Sequence, residues 1–160
     1  MQAAQYWIEK LDMTEHPEGG CYQEVYRSPE KLSALPERFE GPRNVMTSIY
    51  FMLREGEFSS LHRIKSDELW VHIDGDDLEV SGWDSEGRAF RHVLGKSDQA
   101  SAQVLVPAMA WFGSRPLGAY TLSACVVAPG FDFADFELGG KADLLGRYPA
   151  HSELIAELTR

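Results

Sequence analysis

The chain has 160 residues, 44% of them apolar and 25% charged, an ordinary globular composition that predicts one domain over 1–160. Its formal net charge of −10 repels nucleic-acid phosphates and anionic lipid, so neither is an expected partner. No leader peptide is expected, because Glu9 and Lys10 interrupt the N-terminal stretch, and the apolar run Ile49–Leu53 is far too short to cross a bilayer.

Ala4, Trp7, Ile8 and Leu11 fall at helical spacing and predict a short amphipathic helix over residues 3–11. His16-Pro17-Glu18-Gly19-Gly20 is a turn-rich connector, and Cys21–Tyr26 carries the aromatic and β-branched residues of a strand. Residues 28–43 hold three prolines among charges and read as a surface loop crossing the mouth of a barrel. Further strands are predicted at Val45–Leu53, Glu68–Ile73, Leu78–Gly82, Arg88–Leu94, Gln103–Val106, Trp111–Ser114 and Tyr120–Val127. Turns at Glu55-Gly56, Asp74-Gly75 and Asp84–Gly87 cut them apart. Leu78, Val80 and Gly82 alternate with Asp77, Glu79 and Ser81, the pattern of a strand with one buried face. Leu154, Ile155 and Leu158 predict a closing helix over residues 151–159. Many short strands at this spacing give a mainly-β sandwich or barrel with short terminal helices. Two distant cysteines, Cys21 and Cys125, form no disulfide framework and suit a reducing cytoplasm.

Gly56, His62, Glu68 and Gly75 stand at the offsets of the first cupin motif, in which two histidines separated by one residue precede a glutamate. Ile64 takes the place of the second histidine. In the frame of the second motif, Pro-x-Gly-x-x-His, Met109 replaces the glycine and Phe112 the histidine. Longer strings carry a closer likeness: His16-Pro-Glu-Gly-Gly20, Tyr26-Arg-Ser28, Thr47-Ser-Ile-Tyr-Phe51, His62 through Trp70, Val106-Pro-Ala108, and Val127 through Phe133 with Phe136-Glu137. Over nearly its whole length the chain resembles the cupin branch known as DUF985 or Cupin_5. The resemblance implies a double-stranded β-helix, the jelly-roll barrel, that pairs into a homodimer. It implies no settled activity; relatives by overall fold include sugar-nucleotide epimerases and metal oxygenases.

If His62 opens a strand with its side chain inward, Ile64 also faces inward, and Glu68, Trp70 and His72 share the inner face of the next strand. A metal cupin binds its ion through three histidines and a carboxylate. Only His62 and Glu68 stand at those positions here, too few for a tight zinc or iron site. No cofactor is therefore expected, and any divalent metal would rest on His62 and Glu68. A histidine beside a carboxylate is also a general-base arrangement, with His62 as base, Glu68 as its partner, and Tyr50 or Tyr120 as the acid. The plainer reading is a polar pair that orients a bound ligand. Phe51, Trp70 and Phe112 suit an aromatic wall, and His72, Ser114 and Tyr120 complete the ligand-binding set. Cys21 near His16 is read as inert rather than nucleophilic, and Phe131, Phe133 and Phe136 as a structural cap.

The expected function is binding of a small polar metabolite, of the carbohydrate or nucleotide-sugar class, by a cytoplasmic homodimer. The alternatives are a metal-independent epimerase or isomerase, a metal-dependent cupin enzyme, and an interaction protein whose barrel is filled by its own side chains. The strand Cys21–Tyr26 is the expected paired edge of the dimer.

Overall fold

Period-two alternation dominates the middle of the chain, and in the computed structural model, which describes residues 2–160, it resolves into two packed antiparallel sheets. Helix α1 (Gln2–Lys10) leads into β1 (Thr14–Glu15), β2 (Cys21–Arg27), β3 (Lys31–Leu32), β4 (Arg43–Asn44) and β5 (Thr47–Arg54). Then come β6 (Ser59–Arg63), β7 (Asp67–Gly75), β8 (Leu78–Trp83), β9 (Ala89–Leu94), β10 (Gln103–Val106), β11 (Trp111–Pro116) and β12 (Tyr120–Ala128). The chain closes with β13 (Glu137–Leu138), α2 (Lys141–Arg147) and α3 (Ser152–Glu157). One sheet runs β1-β2-β5-β12-β7-β10 and the other β13-β6-β11-β8-β9, with β3 and β4 as a separate pair. This is the mainly-β jelly roll with short terminal helices that the sequence predicts.

Three apolar clusters hold it together. Phe51, Leu53, Trp70, Val80, Val104 and Phe112 fill the space between the sheets. Leu61, Trp83 and Trp111 lie on the outer face of the five-stranded sheet, covered by Leu144 of α2 and Ile155 of α3 with Leu158 beyond it. Trp7 and Ile8 of α1 cover Met52 and Leu122 on the outer face of the six-stranded sheet. Each such large side chain, fully buried, contributes roughly 1.5–3 kcal/mol.

These outer layers correct two expectations. β8 is buried on both faces, not one, because the C-terminal helices lie over its outer side, where Glu79 meets Arg115 at 3.1 Å and Arg91 at 3.5 Å. Residues 28–43 are more than a surface loop: Arg43 is buried and makes a bidentate ion pair with Asp135, at 2.8 and 2.7 Å. Helix α2 lies outside the elements the sequence pattern predicts.

Candidate functional site

A cavity of about 170 Å³ opens between the sheets, lined by strands β2, β5, β6, β7 and β12 and by the segment after β12. The turn between β1 and β2 carries its central charged groups. Gly19 and Gly20 take left-handed φ values of +111° and +74°, and a Cβ on Gly20 would come within 2.5 Å of the Met52 carbonyl oxygen. The turn is pulled down onto β6. The Ser60 N–H donates to the Glu18 carbonyl at 2.7 Å, and the Arg160 guanidinium donates to the carbonyls of Glu18 at 2.8 Å and Phe58 at 2.9 Å.

Folded this way, the turn buries the Glu18 side chain against His62, with Glu18 Oε2 2.9 Å from His62 Nε2 and 3.8 Å from His16 Nδ1. Burial alone would raise the Glu18 pKa, but the facing His62 and the nearby His16 hold it below the usual carboxylate range. Burial alone would lower the His62 pKa, but Glu18, then Glu68 and the Ser60 carbonyl, raise it. The two form an imidazolium–carboxylate pair. His62 Nδ1, 2.8 Å from the Ser60 carbonyl oxygen, donates there, and Nε2 donates to Glu18. No ring nitrogen of His62 is left to accept a proton.

The other polar groups differ in state. Burial lowers the His16 pKa, and its Nδ1 accepts the Glu18 N–H at 3.2 Å, so the neutral ring carries its proton on Nε2. Burial pushes the Glu68 carboxyl up to about 7 and the Cys125 thiol well above its ordinary value. At the rim, Arg27 Nη2 meets Glu24 at 2.6 Å and Nη1 donates to the Phe131 carbonyl at 2.8 Å. The wall is aromatic: the His16 ring lies 4.7 Å from Tyr22, and Phe131 lies 4.9 Å from Phe133. Phe136 stacks on His62 at 5.6 Å.

Of the residues singled out in the sequence, His62 and Glu68 line the cavity. The carboxylate bonded to His62 is Glu18, not Glu68, because the β1–β2 turn reaches the ring first. Phe51, Trp70 and Phe112 point inward but pack into the core rather than lining the cavity, Trp70 sitting 5.5 Å from Phe51 and 6.2 Å from Phe112. His72 shares the inner face of β7 with Glu68 and Trp70, but lies beyond Trp70, away from the cavity, and its buried Nε2 has no partner among the described residues. Ser114 is buried on β11, outside the cavity, with its Oγ likewise unpartnered. Tyr50 and Tyr120 lie on the outer face beneath α1, so neither is an acid for this site. Unbroken alternation along β12 puts Tyr120 and Leu122 on the outer face, where Tyr120 donates to Asp74, and turns Cys125 and Val127 to the cavity.

His16, Glu18, Phe131 and Phe133 belong to the site and were not assigned to it from sequence. Their only signal was membership of the distinctive strings His16–Gly20 and Val127–Phe133. The segment read as a structural cap supplies part of the cavity wall. The metal arrangement of the fold does not fit these residues. Ile64 lines the cavity, Phe112 packs 4.3 Å from the His62 ring, and among the described residues no three His, Cys, Asp or Glu side chains gather as a metal-binding group.

Fold and cavity together define a barrel of the cupin class. The chain belongs to the Cupin_5 family, described as cupin superfamily (DUF985), whose model matches residues 5–139. A structural-genomics protein from Shewanella oneidensis is similar at 37% identity, covering 100% of this chain and 99% of its own, with a TM-score of 0.88. A hypothetical protein from Leishmania major shares 34% identity over 98% of each chain, with a TM-score of 0.89. A cupin 2 domain-containing protein from Halorhodospira halophila shares the fold at 20% identity, a TM-score of 0.58, and coverage of 92% of this chain and 87% of its own. No curated protein matches the chain.

Proposed function

We infer that the protein binds a small polar metabolite of the carbohydrate class in its barrel cavity. The observation that carries this reading is the His62–Glu18 pair and the Glu68 carboxyl, all buried and all facing one open cavity. Burying such groups costs several kcal/mol unless something polar meets them, and a barrel serving only as scaffold is cheaper to fill with Leu or Val. A mostly apolar wall with a few polar anchors is the usual make-up of a small-molecule site. The 170 Å³ volume lies below the roughly 300–1,000 Å³ of pockets for drug-sized ligands, which suits a single sugar ring. The nucleotide part of a nucleotide-sugar would lie outside, against the half-exposed Phe133.

Isomerase chemistry with His62 as the base is not favoured, since both ring nitrogens already donate. A barrel packed shut for interaction alone is not favoured by an open cavity. Cys21 and Cys125 sit in different apolar clusters, both free, which supports placing the protein in a reducing cytoplasm. The reading includes no resident metal. A native mass spectrum of the purified protein tests it: the expected result is an adduct of small organic mass, lost when Glu18 and His62 are both replaced by leucine. A protein free of any organic adduct, or one carrying a stoichiometric transition metal, overturns it.

A further inference from the structure

The charges around the cavity do not balance. Arg27 is taken by Glu24 and by the Phe131 carbonyl. His62 is taken by Glu18. His16 is neutral and the Cys125 thiol keeps its proton. Glu68 on β7 is the remaining charged group: 8% exposed, lining the cavity, with no ion-pair partner among the described residues.

Resting on the metabolite-binding reading, we propose that the ligand is an amino sugar whose protonated amine seats against Glu68 and whose ring lies along Tyr22, Phe131 and Phe133. An ammonium supplies the countercharge that the cavity lacks. Aromatic faces attract both the apolar face of a sugar ring and an adjacent cation. The carboxyl of Glu68, near 7, is poised between its two forms at neutral pH, and a cation tips it to the ionised one. A ligand bearing phosphate or carboxylate would instead set a further anion beside Glu18 and Glu68. The net charge of −10 also enriches cations near the protein.

Titration calorimetry at pH 7 with D-glucosamine, D-glucose and N-acetyl-D-glucosamine tests the proposal, since the three differ only in the group at C2, an ammonium, a hydroxyl and a neutral acetamide. Glucosamine is expected to bind about tenfold or more tightly than either neutral sugar, the scale of a hydrogen bond to a charged group. Glu68→Gln should level the three affinities while the melting transition is retained. Equal binding of glucose and glucosamine by the wild type overturns the amine assignment and leaves the broader reading standing. Failure of all three to bind at millimolar concentration also overturns it, and the native mass spectrum then decides the broader reading separately. The wild-type comparison decides by itself should the variant fold poorly.

Discussion

At the scale of single residues, the site is a set of buried charges whose pairing can be read in stability. Removing one partner of a buried ion pair leaves the other uncompensated, typically at about 3–5 kcal/mol. Glu18→Gln should therefore destabilise the protein by about that much in urea titration. The pH window follows from the signs. His62, raised when folded, contributes stability that is complete below its ordinary value of 6.5 and is lost as pH rises through the folded value. Glu18, lowered when folded, contributes stability present above its ordinary value of 4.5 and lost on acidification. The penalty of Glu18→Gln should peak between these values. Glu68 works the other way. Its carboxyl, lifted from 4.5 to about 7, opposes folding progressively as pH climbs through that range. Glu68→Gln should be near neutral at pH 4 and stabilising by about 3 kcal/mol at pH 8, at 1.36 kcal/mol per pKa unit. A variant no more stable at pH 8 than at pH 4, relative to wild type, would mean that Glu68 is not desolvated.

At the scale of elements, the buried Arg43–Asp135 pair joins β4 to the segment that carries Phe131, Phe133 and Phe136. Asp135→Asn should cost about 3–5 kcal/mol and release the cavity wall, read as faster proteolysis near residues 129–138. Unchanged cleavage there would show that the wall holds without the pair. This link was not legible in the sequence. Arg43 stands among prolines and charges that look like any exposed loop, and Asp135 is 92 positions away. What was legible was local: the alternation of β7 placed Glu68 and Trp70 inward, and His62 followed from the motif spacing. Tyr120 failed because it stands at the opposite parity to Cys125 and Val127, so the regular alternation of β12 turns it outward, and Glu18 because no period reports where a glycine turn lands. The C-terminal helices over the outer face of the five-stranded sheet erased the polar side that β8 was expected to show.

At the scale of the whole molecule, no helix of the described residues is long and apolar enough to cross a membrane. The remaining apolar exposure lies partly on sheet edges. β1 pairs only with Cys21 and Tyr22 of β2, so the rest of that strand is an open edge, with Val25 and Tyr26 about half exposed. Leu105 is similarly exposed on β10 at the opposite edge. Open edges invite pairing with another chain, and the homodimer expected from the sequence would cover one of them. Light scattering should give twice the 18.0 kDa chain mass at micromolar concentration, and a charge at the edge, Val25→Lys, should halve it. A wild-type monomer would rule the dimer out.

The Arg160 anchor on the Glu18 turn spans 142 positions, and the bond from Arg27 to Phe131 spans 104. Closing such distances is slow, and sheet proteins dominated by them fold in milliseconds to seconds. A chain emerging from its N-terminus first has Glu18 made long before the arginine that fixes its turn or the phenylalanines that wall its cavity. Competence to bind is thus a late event in the life of each molecule, and in refolding it should lag behind the recovery of sheet structure.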